Sequence, residues 1–234
     1  MDAGGATGEE GGMERDPDDS GLWDNDLWRV AQALNRAAAA VSPGVASLPP
    51  LLLFTDPVRT PRPWEMAARL PPGAGVVYRG FGRAEMGQEA QALRRVSSDR
   101  NVILLIGQDA ALAECIGADG VHLAERDLTR AGDLRARHPD WIVTGAVHDP
   151  ERVQGLADLS ALDALVLSPV FRAGGPSAAR PPLGTAGIAG AVSALPVPVY
   201  GLGGISADTA HDLEGTGLCG LAGIEGVLRA FGPA

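Results

Sequence analysis

One pattern recurs from Pro49 to the end of the chain: a short apolar run, flanked by Gly or Pro, precedes a stretch with helical periodicity. Apolar runs of this length between turn residues indicate buried strands. The predicted strands are Leu51–Thr55, Gly75–Arg79, Val102–Ile106, Gly120–Leu123, Trp141–Ala146, Ala164–Leu167, Val199–Leu202 and Gly220–Ala222. The predicted helices between and after them are Trp64–Leu70, Glu85–Val96, Ala110–Ile116, Leu128–Arg137, Pro150–Leu159, Ala186–Leu195, Ala207–Leu213 and Glu225–Phe231. Eight alternating pairs in about 185 residues predict an α/β fold, namely a compact (β/α)8 TIM barrel.

A doubly wound sheet also alternates strands and helices, but its Gly-rich phosphate loop follows the first strand. Here that position holds Thr55-Asp56-Pro57, so we favour the barrel. In a barrel, residues that follow a strand lie at the top, where chemistry takes place, and residues that precede a strand serve stability at the bottom. The top-side candidates, besides two glycine turns near the end of the chain, are Asp56, Arg79, Gln108, Asp109, Glu125, Asp127, His148, Ser168, Arg172 and Arg180.

The residues before the barrel differ in composition from the rest. Residues 1–21 are rich in Gly, Asp and Glu and contain few apolar side chains, so we expect disorder there. Apolar residues then recur at helical spacing from Leu22 to Val41, which predicts an extra N-terminal helix within residues 22–47. We expect this helix on the outside or the bottom of a barrel that spans residues 48–234, with partner binding as the alternative.

Composition excludes several classes of protein. The formal net charge of −10 argues against a nucleic-acid groove, which needs a basic stripe. The sequence has neither a secretory signal nor an apolar run of spanning length, so we expect no membrane contact and a cytoplasmic location. All positive charge comes from arginine, which excludes any step that needs a lysine amine. Cys115 and Cys219 both lie in apolar stretches and are predicted to be buried thiols rather than a disulfide.

Two glycine turns follow the last two predicted strands. Gly203 and Gly204 end the seventh strand, and Gly223 and Ile224 end the eighth. Glycine lets a ligand approach the backbone, and exposed amides at the start of a helix attract phosphate. Since barrels commonly hold phosphate after strands seven and eight, we predict a phosphate cradle here.

Four side chains at the predicted mouth could act on a phosphorylated substrate. Arg79 ends the second strand and suits bidentate contact with phosphate or carboxylate. His148 follows the fifth strand and is the better placed imidazole for acid–base work, whereas His122 lies within the fourth strand. Arg172 belongs to a long Gly-rich segment, Phe171 to Gly184, that is typical of a lid.

Several motifs resemble, in order and spacing, the thiamine phosphate synthase family, which includes a sister group of thiazole tautomerases. They are Gly117-Ala118-Asp119-Gly120-Val121-His122-Leu123, Ser168-Pro169-Val170-Phe171, Pro182-Leu183-Gly184 and Gly201-Leu202-Gly203-Gly204-Ile205. The resemblance implies a barrel that joins hydroxymethylpyrimidine diphosphate to a thiazole phosphate, with Mg²⁺ assisting and diphosphate leaving. It also implies that the thiazole phosphate lies on the last two glycine turns, and that Arg79 contacts diphosphate and Asp127 contacts Mg²⁺.

Other family positions are changed. The family's Gln-x-Arg-x-Lys in the second strand falls on Val77, Arg79 and Phe81, and its Asn-Asp after the third strand falls on Gly107 and Gln108. Its Ser-x-His after the fifth strand falls on Ala146 and His148. Its threonines and lysine after the sixth strand fall on Ala173, Gly175 and Pro176. The metal position is therefore open between Gln108 and Asp109, which comes one residue late. The catalytic histidine of the tautomerases corresponds to Pro169.

Three hypotheses follow. The first is a divergent thiamine phosphate synthase-like enzyme that binds a small phosphorylated substrate. The second is a metal-independent, tautomerase-like enzyme with His148 or His122 as proton carrier. The third is a non-catalytic phosphate-ligand binding protein. A homo-oligomer is left open in each case.

Overall fold

The computed structural model describes residues 23–154, 159–174 and 179–233. All eight predicted strands form one closed parallel barrel in chain order, so the predicted fold is confirmed. No strand end differs from its predicted position by more than one residue. The strands are β1 Leu51–Phe54, β2 Gly75–Tyr78, β3 Ile103–Gly107, β4 Gly120–Leu123, β5 Ile142–Val147, β6 Ala164–Leu167, β7 Val199–Leu202 and β8 Gly220–Gly223.

Helices follow each strand, and several are shorter than the sequence predicts. The α-helices are α1 Asp26–Val41, α2 Pro63–Ala67, α3 Met86–Asp99, α4 Ala110–Ile116, α5 Ala131–Arg137, α6 Pro150–Gln154, α7 Gly184–Ala194, α8 Ala207–Ala210 and α9 Glu225–Phe231. Further short 3-10 helices span Pro43–Ser47, Glu125–Arg130, Leu159–Ala161 and His211–Leu213. These tighter turns replace the ends of three helices that we predicted as continuous. None of the described helices is long and apolar enough to cross a bilayer.

The N-terminal helix begins at Asp26 and not at Leu22. Asn25 adopts an extended conformation, and its side chain accepts a hydrogen bond from the amide of Trp28, which caps the helix at this point. The apolar face of α1 is buried against the barrel. Leu22 and the predicted disordered tail, residues 1–21, lie outside the described residues.

The bottom of the barrel is closed by α1 and the 3-10 helix that follows it. The buried side-chain amide of Asn35 lies 3.2–3.3 Å from the carbonyl oxygens of Val45, Leu48 and Cys219. Val45 and Leu48 also pack into the apolar interior of the barrel. This arrangement fills the end where the strands begin and leaves the opposite end for a ligand.

Two acids that precede strands are structural, as predicted. Asp119 pairs with Arg94 and accepts a hydrogen bond from the amide of Leu104 on β3. Asp163 pairs with Arg135 and accepts from the strand amide at position 143. Each carboxylate thereby joins a helix to a neighbouring strand.

The prediction for the cysteines is half wrong. Cys219 is buried, but Cys115 is exposed. The reason is that α4 buries Ala113 alone, and a residue two positions further along a helix points to the opposite side. Burial raises the pKa of the Cys219 thiol far above its usual range, so this group stays protonated.

Candidate functional site

The carboxyl ends of the strands surround a cavity of about 1060 Å³. Its charged lining consists of six arginines and three carboxylates: Arg59, Arg79, Arg126, Arg172, Arg180, Arg229, Asp56, Glu125 and Glu225. The chain as a whole carries a formal charge of −10, so the local excess of positive charge is opposite in sign to the rest of the molecule. A cleft with this polarity attracts anions.

The two predicted glycine turns lie side by side at one wall of this cavity. Strands β7 and β8 pair in register, with Leu202 opposite Ala222, so Gly203 and Gly223 follow on neighbouring strands about 4.8 Å apart. Gly203, Gly204, Gly223 and Ile224 all line the cavity. The structure therefore brings together all four residues that we predicted to bind phosphate.

Three backbone amides in these turns are free to bind a ligand. Among the described residues, no acceptor takes a hydrogen bond from the amides of Gly203, Gly204 or Ile224. Gly223 differs because it still belongs to β8 and pairs in register with Leu53 of β1. We define the free amides of Gly203, Gly204 and Ile224 as the amide cradle.

Only glycine fits the first turn of the amide cradle. Gly203 and Gly204 have φ values of 103° and 70°, in the region that disfavours residues with a side chain. A Cβ atom on Gly204 would lie 2.6 Å from the carbonyl oxygen of Arg172. The close approach arises because the amide of Phe171 donates to the carbonyl of Gly203, which ties the loop after β6 to this turn.

Arg79 lines the same cavity at the end of β2, which is separated from β8 by β1 alone. Its Nε atom donates to the carbonyl of Thr55 at 2.8 Å, and its guanidinium carbon lies 5.4 Å and 5.3 Å from the ring centres of Phe54 and Phe81. Burial lowers the pKa of this guanidinium, and the nearby Asp56 partly opposes the effect. No described carboxylate pairs with Arg79, so the cation is available to an anionic ligand.

A second arginine at the mouth is already neutralised. Arg59 contacts the carboxylate of Asp56 at 3.1 Å and that of Glu225 at 3.3 Å, and so joins the loop after β1 to the start of α9. The bond from Arg59 lowers the pKa of Asp56 to about 2. This group holds two loops together.

His148 is fixed by a carboxylate. One oxygen of Glu125 accepts hydrogen bonds from the backbone amide of His148 at 2.8 Å and contacts its Nδ1 atom at 2.7 Å. The tautomer with a proton on Nδ1 is therefore favoured, which leaves Nε2 as the basic nitrogen. Both residues line the cavity.

His122 serves a different role from His148. It is buried, its Nδ1 atom lies 2.9 Å from the hydroxyl of Thr144, and its ring packs edge-on against Phe54. Burial lowers the pKa of His122 to about 3, so this imidazole is neutral near pH 7. It can contact a ligand as a neutral hydrogen-bonding group.

The residues matched to the family's metal ligands are engaged in other contacts. Gln108 lines the cavity, but its amide oxygen accepts from Arg126 at 2.9 Å. Asp109 caps α4 by accepting from the amide of Leu112. Asp127 does not line the cavity, and its carboxylate lies 3.6 Å from Arg126. Nowhere in the described part of the chain do three His, Cys, Asp or Glu side chains gather to hold a metal ion.

The predicted lid is described only in part. Arg172 is exposed and lines the cavity, as does Arg180 near the other end of the segment. The matched positions Gly175 and Pro176 lie outside the described residues. The described part thus places both arginines at the cavity, and it places the backbone carbonyl of Arg172 next to Gly204.

Five further residues line the cavity that the sequence did not indicate as site residues: Arg59, Phe81, Arg126, Glu225 and Arg229. One signal was available for Arg229, since it stands four positions after Glu225 and therefore on the same face of α9. The others lie on loops whose directions depend on tertiary packing.

Comparison with known proteins was made by sequence and by structure. Residues 69–227 match the sequence profile of a family described as thiamine monophosphate synthase. A thiamine-phosphate synthase of Anaeromyxobacter dehalogenans is 31% identical over 180 residues, which cover 76% of this chain and 78% of that protein. One from Leuconostoc citreum is 30% identical over 143 residues, which cover 61% and 67% of the two chains.

Solved structures agree with this result. A thiamine phosphate pyrophosphorylase from Pyrococcus furiosus superposes with a TM-score of 0.64 at 25% identity, covering 78% of this chain and 91% of that chain. A structure titled native KDPGal superposes with a TM-score of 0.53 at 15% identity, covering 74% and 81%, and supports the fold alone.

Proposed function

The chain belongs to the thiamine monophosphate synthase family, and from this premise we propose that its cavity binds a small phosphorylated ligand, with a thiazole phosphate as the first candidate. In this proposal the phosphate lies on the amide cradle and the organic part extends across the barrel mouth. Arg79 binds a second anionic group, and condensation with hydroxymethylpyrimidine diphosphate releases diphosphate.

The observation that carries this proposal is the group of free amides at Gly203, Gly204 and Ile224. A charged acceptor forms stronger hydrogen bonds with backbone amides than a neutral one does, so an anion that accepts from several of these amides is bound strongly. The arginine-rich lining adds a long-range attraction for the same kind of ligand.

Arg79 supports the second part of the proposal. Burial lowers the pKa of this guanidinium, and no described carboxylate pairs with it, so the charged group is incompletely solvated in the free protein. A ligand anion at this position compensates for the lost solvation of the guanidinium. In the condensation such a contact stabilises the charge that develops on a leaving diphosphate.

Mg²⁺ is generally used by thiamine phosphate synthases, and it supplies a counter-charge for diphosphate when bound. The residues of this chain do not fit that ion. Gln108 is neutral and bonded to Arg126, Asp109 is a helix cap, and Asp127 does not line the cavity. We therefore assign charge neutralisation to the arginines of the cavity.

The test is to measure binding and turnover separately. Isothermal titration with thiazole phosphate is expected to give saturable binding. Incubation with hydroxymethylpyrimidine diphosphate as well, at high protein concentration, is expected to give thiamine phosphate above a no-protein control. If thiazole phosphate does not bind, the whole proposal is contradicted. If it binds but no thiamine phosphate forms, the binding site is supported and the condensation is contradicted.

A second activity is favoured by the Glu125–His148 pair. A carboxylate that fixes Nδ1 leaves Nε2 free to take a proton from a carbon acid and return it to another atom of the same ligand. Such a metal-independent proton transfer needs neither Lys nor Mg²⁺. It is tested by following deuterium exchange into bound thiazole phosphate in D₂O, where Glu125→Gln and His148→Gln are expected to slow the exchange.

A further inference from the structure

Phe81 stands out among the apolar residues at the barrel mouth. It is 61% exposed, lines the cavity, and has a φ value of 52°, which is rare for a residue with a large side chain. A phenyl ring that is both exposed and held in a disfavoured backbone conformation buries little apolar surface and so adds little to the stability of the fold. Strain of this kind concentrates at sites of function.

The loop that presents Phe81 is held in place. The side chain and backbone of Arg83 both donate to the carbonyl of Gly80, and the amide of Gly82 lies 3.2 Å from the sulfur of Met86. A Cβ atom on Gly80 would clash with the Met86 side chain. Arg83 in turn pairs with Glu89 of α3, which also accepts from the buried hydroxyl of Tyr78. The ring is therefore presented by an anchored turn.

The surroundings of Phe81 are aromatic and cationic. The guanidinium of Arg79 lies between the rings of Phe81 and Phe54, and Phe54 packs edge-on against His122. A cation over an aromatic face stabilises both groups, and it fixes the ring in one orientation. We define Phe81 together with Arg79 as the ring platform.

We propose that the ring platform binds the flat ring of the ligand whose phosphate occupies the amide cradle. This inference rests on the proposed function and adds Phe81 to it as the residue that selects a phosphate carrying a flat ring over one that does not. Strands β2 and β8 both neighbour β1, so the two subsites face the same cavity from nearby walls.

The experiment compares three phosphates on three proteins by isothermal titration. The probes are thiazole phosphate, glycerol 3-phosphate and inorganic phosphate, and the proteins are the wild type, Phe81→Gly and Phe81→Trp. Glycine removes the ring and also relieves the positive φ, so Phe81→Gly is expected to melt at or above the wild-type temperature. Loss of ring stacking is expected to weaken thiazole phosphate roughly two- to tenfold and to leave the other two probes unchanged. Phe81→Trp, which keeps an aromatic face, is expected to retain the preference.

The possible outcomes distinguish a failure of the ring platform from a failure of the proposed function. Equal weakening of all three probes by Phe81→Gly overturns the ring platform, because Phe81 would then act on the cavity as a whole. Unchanged binding of thiazole phosphate by Phe81→Gly also overturns it. If the wild type binds none of the probes, the amide cradle fails and the ring platform falls with it.

Discussion

Two walls of the same cavity are built in different ways. The wall at β7 and β8 consists of backbone amides in two glycine turns, which are free of acceptors among the described residues. The wall at β2 to β5 consists of side chains, and most of them are already bonded to one another: Gln108 to Arg126, Glu125 to His148, and His122 to Thr144.

The difference shows which kind of site survives sequence change. A backbone site needs only glycine at a few positions, because every residue supplies the same amide. A side-chain site is lost when single residues change, and the remaining groups then pair with each other. We therefore expect phosphate binding to be retained and the metal-dependent part of the family chemistry to be altered.

The largest effect is expected from Gly204→Ala. The new Cβ atom would lie 2.6 Å from the carbonyl oxygen of Arg172, at a φ of 70°, so the turn has to move and its amides lose their direction. Hydrogen bonds to a charged group are worth roughly 1.5–3 kcal/mol each, so thiazole phosphate is expected to bind about 30-fold more weakly or worse. Isothermal titration measures this.

The matched control for that variant is Gly215→Ala. Gly215 has a φ of 76°, but a Cβ atom there meets no other atom within 4 Å. The Gly215→Ala substitution is expected to lower the free energy of unfolding by about 1–2 kcal/mol through backbone strain alone and to leave the affinity for thiazole phosphate unchanged. Equal affinities of the two variants would contradict the role given to the amide cradle.

Arg79→Met tests the side-chain wall. Methionine keeps most of the apolar packing between Phe54 and Phe81 and removes the cation, so a ligand with a diphosphate is expected to bind roughly tenfold more weakly. The free energy of unfolding is expected to stay the same or rise, since a poorly solvated charge is removed. Arg36→Met, which changes an exposed arginine on α1, serves as the control. A loss of inorganic phosphate binding as large as that of diphosphate would show that the walls are not separate.

The pH dependence of stability reports on His122. Its pKa in the folded protein is about 3, below the ordinary value of 6.5, so the unfolded chain binds more protons between these values. The stability contributed by neutral His122 is complete above pH 6.5 and is lost as the pH falls towards 3. Urea unfolding at pH 7, 6 and 5 is expected to show a decline that His122→Asn reduces by up to roughly 1 kcal/mol per pH unit. An identical decline in both proteins would contradict the burial assigned to His122.

The smallest expected effect concerns metal. Because Gln108 and Asp127 contact Arg126 and Asp109 caps a helix, addition of Mg²⁺ or of EDTA is expected to change the Kd for thiazole phosphate by less than about twofold, as screening alone would. A tenfold dependence on Mg²⁺ in isothermal titration would show that the side-chain wall rearranges to bind the ion.

The sequence was sufficient for the barrel and for the amide cradle, for a physical reason. Strand alternation fixes the chain order of a closed parallel sheet, and residues that follow strands must gather at one end. Glycines at these positions then indicate backbone contact with a ligand. The prediction of Gly203, Gly204, Gly223 and Ile224 in one place needed no knowledge of side-chain direction.

The side-chain wall could not be predicted to the same depth. Glu125 and His148 lie on loops after different strands, and only the tight 3-10 turn at Glu125–Arg130 brings them to within 2.7 Å. Asp127 belongs to the same turn, but it does not line the cavity, and its carboxylate lies 3.6 Å from Arg126. The spacing of residues in the sequence does not indicate this. The positive φ of Phe81 likewise depends on the packing of Gly80 against Met86.

The central claim is that free backbone amides of two adjacent turns hold the phosphate. It is tested most directly by recording the amide resonances of the ¹⁵N-labelled protein during titration with thiazole phosphate. We expect the largest downfield proton shifts at Gly203, Gly204 and Ile224, all with one saturation curve. Saturable binding that leaves these three resonances in place would contradict the account.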